Sequence, residues 1–245
     1  MSKLRSRISA SLQRVAAGGF LLVALLACAV ASPAEEITIT RLERFTDNRG
    51  WNEAGHGPTH QFVVTATVAP SGFPTLVYAE KDGARQPLTH FAQPGAPDLY
   101  VLWQRFDPAA SGSWRIVAER GDARATPVST PVLATPRQVP LASNVRAAGK
   151  GAQPRLSWQL PNLAGFDIDR IRVAVLGGKR VHGRFMSTLY VSAELPPSAK
   201  AFKIPPGLLA PGERYIFQVM LEDLEGGKLE NRSLTYSAPY TVSRK

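Results

Sequence analysis

Short apolar-alternating stretches, broken repeatedly by Gly, Pro, Asn or Asp, run through the chain beyond its first thirty-odd residues, and no segment there sustains a helical period. Successive side chains of a strand point to opposite faces, so such a stretch buries one face and needs a second layer to bury it against. A chain made of these pieces is expected to stack sheets in an all-β sandwich. Ile37-Thr38-Ile39-Thr40-Arg41-Leu42 opens the series. In the next stretch Phe62, Val64, Ala66 and Val68 alternate with Val63, Thr65 and Thr67. Thr75 to Glu80 follows, ended by Asp82-Gly83, a strong hairpin signal. Leu99 to Phe106 is aromatic-rich, and Ser113 to Glu119 closes the set.

A proline-punctuated connector comes next, with Pro127, Pro131, Pro136 and Pro140 in Thr/Val/Ala surroundings. Proline brings no ladder donor, so these positions suit sheet edges or extended linkers, and part of the connector can serve as a last strand of what precedes it. The boundary falls near Arg137. The expected organisation is a leader over 1–34, an N-terminal β-sandwich over 35–136 and a second β-sandwich over 137–245.

The second half resembles a fibronectin type III domain. Arg155-Leu156-Ser157-Trp158, followed by Pro161, is similar to that family's second strand with its core tryptophan. Ile171, Val173 and Val175 alternate like its third strand, with Gly177-Gly178 read as the turn after it. The most specific match is Leu209-Ala210-Pro211-Gly212-Glu213-Arg214-Tyr215-Ile216-Phe217-Gln218-Val219, a Pro-Gly turn before a Tyr-x-Phe-x-Val strand. The resemblance implies a seven-stranded immunoglobulin-like sandwich with Trp158, Tyr215, Phe217 and Val219 in its core. It also implies that the Tyr215 hydroxyl bonds to backbone at a corner between the sheets. The family is mostly a spacer or binding module, and a fold by itself assigns no function.

The N-terminus has the order of a secretory signal peptide. Lys3, Arg5, Arg7 and Arg14 precede an apolar run from Val15 to Ala31, and small residues lead into Ser32-Pro33-Ala34-Glu35-Glu36. Cleavage after Ala31 or Ala34 fits the small-x-small pattern. Cys28, the one cysteine of the chain, stands in Leu25-Leu26-Ala27-Cys28, which resembles a bacterial lipobox. Cys28 is therefore a lipidation candidate, and a lipidated Cys28 would tether the protein to a membrane. The alternative is that Cys28 is a small apolar residue of a removed leader. The expected location is exported, periplasmic or extracellular, with a lipoprotein anchor as the variant.

The formal net charge is +10. Residues 137–245 hold sixteen Lys and Arg against eight Asp and Glu, whereas 32–136 hold nine against eleven. A basic second half outside the cytoplasm suits anionic lipid or polysaccharide. Arg170 and Arg172 flank Ile171 on one strand, and Lys179, Arg180 and Arg184 follow closely, so these five are the candidate surface contact. Nucleic acid is a poor partner, because no basic motif interleaved with aromatics is present.

Chemistry-bearing constellations are sparse. Glu53, His56 and His60 carry metal-ligand groups, but Gly55, Gly57 and Pro58 prevent the helix that would align them. No Gly-x-Ser-x-Gly elbow occurs. Asp167 and Asp169, and Glu222, Asp223 and Glu225, are carboxylates close in sequence, expected at strand ends and facing water. Arg120-Gly121-Asp122 is an adhesive tripeptide, but it is also ordinary turn chemistry. Trp51, Trp103 and Tyr100 have flat rings of the kind that stack on sugars, but strand tryptophans are more often core and only Trp51 stands in a loop. The expectation is a non-enzymatic binding or structural protein of the cell envelope with no cofactor or metal, contacting a protein or an anionic polymer. A carbohydrate-binding or adhesin-like module using Trp51 is the first alternative. A hydrolase or metal enzyme with its site in the N-terminal domain is the second.

Overall fold

Strand alternation decides which side of each sheet becomes core. The computed structural model describes residues 36–50, 59–71, 75–91, 97–107, 112–149, 151–181 and 184–244, without the side chains of 178–181 and 184–187. Cys28, Trp51, Glu53 and His56, and the side chains of Lys179, Arg180 and Arg184, lie outside the described residues. In chain order the first half forms β1 (Thr38–Gly50), β2 (Thr59–Ala69), β3 (Leu76–Lys81), β4 (Ala84–Pro87), β5 (Thr89–Phe91), β6 (Asp98–Arg105), β7 (Arg115–Arg120), β8 (Ala123–Arg124) and β9 (Val128–Ser129). The second half forms β10 (Ser143–Ala148), β11 (Arg155–Gln159), β12 (Arg170–Val181), β13 (Arg184–Val191), β14 (Ala201–Lys203), β15 (Arg214–Glu225), β16 (Lys228–Tyr236) and β17 (Tyr240–Thr241). No helix occurs among the described residues, and the protein is all-β.

One sheet runs through both halves. Its order is β13-β12-β15-β16-β1-β2-β6-β5, with β17 beside β15. The join is β1 with β16, paired in parallel over Thr46↔Asn231 to Gly50↔Thr235. Every other strand pair described is antiparallel. A five-stranded sheet, β4-β3-β7-β8 with β9 beside β7, stacks on the N-terminal part. Val64, Ala66, Val68 and Tyr100 meet Val77, Ala79, Trp114 and Ile116 there. The connector does supply that sheet's last strand, β9.

A three-stranded sheet, β10-β11-β14, stacks on the C-terminal part. Val145, Leu156, Trp158 and Ile204 meet Ile171, Val173, Val175, Phe217 and Val219 in the larger core. This is the sandwich arrangement that the fibronectin type III resemblance implies. Trp158, Tyr215, Phe217 and Val219 are all buried in that core. The Tyr215 hydroxyl accepts the Ala210 N–H at 2.8 Å, five residues upstream across the Pro211-Gly212 turn. Gly212 holds φ +80°, which a side chain would strain.

Gly177-Gly178 is not a turn, because β12 continues through it to Val181. A Cβ on Gly177 would stand 2.7 Å from Leu189 and 2.8 Å from the Tyr215 ring. Glycine is needed there because the tyrosine packs against bare backbone.

Trp158→Ala is expected to cost about 3–5 kcal/mol, the range for emptying a buried aromatic site. Tyr215→Phe keeps the ring but orphans the Ala210 amide and should cost about 1–3 kcal/mol. Urea unfolding at pH 7 reads both, and equal midpoints for wild type and Tyr215→Phe would remove the corner bond from the account.

Candidate functional site

Both small sheets pack on one face of the shared sheet, and the register places charged residues in a row across the opposite face. Arg170 on β12 lies beside Glu222 on β15, Glu222 beside Arg232 on β16, and Arg232 beside Asp47 on β1. Gln61 on β2 and Arg105 on β6 continue the row. Directly opposed side chains of neighbouring strands approach closely enough to interact. Charge alternates along this row from Arg170 to Asp47, across the junction of the two halves.

Each of the two carboxylates in this row meets two guanidiniums. Glu222, with 0% exposure, accepts from Arg170 Nε at 2.7 Å and from Arg172 Nε and Nη2 at 2.9 and 2.5 Å. Arg170 also pairs with Glu194. Asp47, with 0% exposure, accepts from Arg49 Nε at 2.6 Å and from Arg232 at 3.4 Å. The Arg232 guanidinium also lies 4.6 Å from the Phe45 ring centre. Burial pushes the Asp47 carboxyl up, but Arg232 and Arg49 outweigh it and hold it below the usual carboxylate range.

A groove of about 870 Å³ runs over this face from Trp103 and Leu99 on β6 to Arg170 and Arg172 on β12. Among the described residues Arg41, Arg49, Lys228 and Arg232 line it beside one carboxylate, Glu43, which pairs with Arg41, and Phe45, Val63, Thr65 and Thr67 lie between them. Arg170 and Arg172, expected as free surface cations, are thus tied to a buried acid and recessed in the groove. Lys228 and Arg41 are its exposed cations.

The other face of the junction is polar as well. Asn231 Nδ2 donates to Asp223 Oδ2 at 2.9 Å and to Thr135 O at 3.0 Å, while its Oδ1 accepts the Arg137 N–H at 2.9 Å. Arg137 Nη2 holds Asp223 at 2.9 Å. Asn48 Nδ2 reaches Val139 O at 2.7 Å, Ser233 Oγ reaches Pro140 O at 2.9 Å, and Thr235 Oγ1 reaches Ala142 O at 3.1 Å. The connector is therefore fastened along β1 and β16 rather than hanging free between domains.

Other sequence candidates resolve on geometry. Glu222 and Asp223 are buried, not water-facing, because Arg170 and Arg172 of β12 close over Glu222 while Arg137 of the connector and Asn231 of β16 close over Asp223. As neighbours on one strand they point to opposite faces and cannot share a substrate. Arg120 Nε donates to Thr75 Oγ1 at 2.7 Å and its Nη2 to Pro70 O at 2.5 Å, so the adhesive tripeptide keeps its arginine folded back. His60 stacks on Phe106 at 3.9 Å, and burial, exceeding the opposing pull of Asp47, lowers its pKa. Among the described residues no group of three His, Cys, Asp or Glu gathers as a metal set.

Asp47, Arg49 and Arg232 lie outside the candidates read from the sequence, and Trp103, expected in a core because it stands on a strand, is 39% exposed instead. One signal for them was present: Arg41, Glu43, Asp47 and Arg49 stand at odd positions of one long strand, so its polar side was marked.

No family model and no curated protein matches the chain. Among solved structures, domains A168–A170 of titin align with 75% of this chain and 59% of their own length, at 12% identity and a TM-score of 0.30. The FN1–FN3 domains of chicken CNTN1 align with 86% of this chain and 68% of theirs, at 12% identity and a TM-score of 0.31. The chain spans about three fifths of the titin fragment's length. Scores this low carry no functional argument.

Asp47 makes stability depend on acid pH. Its folded pKa lies below the unfolded value of about 3.9, so its contribution is complete above that pH and is lost as pH falls toward the folded value. Asp47→Asn is expected to cost about 3–5 kcal/mol at neutral pH, since it leaves two recessed guanidiniums short of a charge. It should also flatten the acid limb of stability, read from urea midpoints taken from pH 5 down to pH 3. An unchanged acid limb in the variant would shift that limb to other carboxylates.

Proposed function

We propose that this is an exported, non-enzymatic binding or structural protein of the cell envelope, and that its partner contact is the groove face of the shared sheet. The partner is an envelope protein or an anionic polymer. The observation that carries the reading is the arginine row, in which each of two buried carboxylates faces two guanidiniums and the face keeps a cationic excess. Guanidiniums already fixed by buried acids lose little freedom on meeting an anionic ligand. A non-enzymatic role also suits the acids of this face, which are locked to arginines instead of left to exchange protons.

Export rests on the basic, apolar, small-residue order of residues 1–34. Mass spectrometry of the native protein is expected to show a start after Ala31 or Ala34, or a diacylated Cys28. A full-length cytoplasmic product would overturn the location.

The contact face is tested on a sulfonate resin. Screening lengths fall from about 10 Å at 0.1 M salt to about 3 Å at 1 M, so retention should fall with salt. The double variant Arg41→Gln, Lys228→Gln removes the groove's exposed cations and leaves the buried pairs alone. It is expected to elute at clearly lower salt than wild type, by more than a control changing Lys200 and Lys203 to Gln. Equal elution of both double variants would remove the groove from the reading.

A further inference from the structure

We propose that the groove is a binding site for an acidic polysaccharide, with Trp103 taking the face of a sugar ring and the arginine row taking its carboxylates. The inference rests on the groove being an anion-binding surface and adds the chemistry of the ligand.

Two parallel rows carry it. The ionic row crosses the sheet through Arg232 and Asp47. Two residues along the strands, about 7 Å away, a second row runs Trp103–Val63–Phe45. Trp103 is 39% exposed, and Phe91 meets it edge-on, with ring centres 5.7 Å apart at 88°. The groove thus offers a braced flat ring on β6 and, three strand spacings or about 14 Å across the sheet, the planar, oriented donors that begin with Arg232 on β16. A ligand that satisfies both needs a flat apolar face and anionic groups repeated along an extended length.

A chain of uronic acid units has that form. One face of each ring presents C–H groups to an indole, and each ring carries a carboxylate bonded directly to it. Guanidiniums match carboxylate oxygens in a planar, two-point fashion. The polymer repeats its carboxylate, and the groove spreads cations along its length from Arg41 to Arg172. An acidic peptide carries its carboxylates on flexible stems and has no flat apolar face to pair with each. A lipid surface fits poorly, because the row is recessed: the side chains of Arg232, Arg170, Arg49 and Arg172 are 16%, 20%, 28% and 28% exposed. A flat bilayer does not reach guanidiniums at that depth.

Calorimetric titration of the full chain with polygalacturonate tests the proposal, with its neutral methyl ester, poly-glutamate and phosphatidylglycerol vesicles as comparisons. Polygalacturonate is expected to bind in a salt-sensitive way, and each comparison about tenfold or more weaker. Trp103→Ala should weaken polygalacturonate about tenfold, the scale of one aromatic stacking contact, without moving elution from the sulfonate resin. Trp103→Phe keeps a flat ring and should bind within a few-fold of wild type. Circular dichroism checks folding, and Trp103→Leu replaces the alanine variant if that one does not fold. An unaffected Trp103→Ala or Trp103→Leu overturns the glycan assignment, as does poly-glutamate or vesicle binding as tight as polygalacturonate. Those results leave the anionic-surface reading standing if Arg41→Gln, Lys228→Gln still lowers resin retention. If that double variant elutes like wild type, the groove reading falls and the glycan assignment with it.

Discussion

The parallel pairing of β1 with β16 is the interaction on which the rest of the structure depends. It brings together residues 185 positions apart, such as Thr46 and Asn231. Without it each half would end in a sheet edge with a row of unpaired backbone donors and acceptors, open to pairing with other chains. With it both edges become interior, and the strands on either side act as one sheet. The connector can then lie along the seam and bond to side chains of both halves. The cores remain separate, one around Trp158 and Phe217 and the other around Ile116 and Val64. What is shared is the sheet and its polar seam.

Buried charge at such a seam needs an explanation, since desolvation can offset the whole attraction of an ion pair and apolar residues would often serve stability as well. Register supplies one. Apolar faces tolerate a slip of two residues, because the same face stays in place. A two-residue slip of β1 along β16 would set Asp47 beside Glu230 or Leu234 instead of Arg232. The first is a like-charge contact and the second leaves a buried carboxylate without its partner. On the opposite face the same slip would take Thr46 away from Asn231, which ties Asp223, Thr135 and Arg137 together. Two polar rows, one per face, therefore select one alignment of the two halves.

Much of the architecture was legible in the sequence because alternation and turn chemistry are local. Trp158, Tyr215 and Phe217 lie in a motif whose residues act within one strand and its turn, and the Ala210–Tyr215 bond spans five residues. The seam was illegible for the opposite reason. Asp47 and Arg232 have no sequence relation, and nothing near Glu222 shows that Arg170 and Arg172 will face it. Glu222 and Asp223, close to the Gly226-Gly227 turn, look solvated until the arginines of β12 and of the connector close over them. Gly177 misled in a related way, since a glycine that lets a distant tyrosine approach looks the same as one that makes a turn. The groove inherits this limit: Trp103 sits in an aromatic-rich stretch that reads as core. Only the register with Val63 and Phe45 places it on the face turned away from the small sheets.

Fusion through a sheet also changes what two sandwiches can do together. Domains joined by a flexible linker act as two sites coupled by an effective concentration, and each binding event must order the linker. Here the cations of the first half, Arg41 and Arg49, and those of the second, Arg170 and Arg172, hold fixed spacing along one sheet before any ligand arrives. A ligand long enough to cross the seam meets both sets without ordering a hinge, so less of its binding energy is spent on organising the protein. The same geometry sets a length requirement. The row from Arg170 to Asp47 crosses three strand spacings, about 14 Å. A ligand shorter than that engages one buried carboxylate's pair of arginines, of which the Asp47 pair, Arg49 and Arg232, joins the two halves and the Glu222 pair does not. An extended polymer is therefore the kind of ligand for which joining the halves through β1 and β16, rather than through a linker, makes a thermodynamic difference.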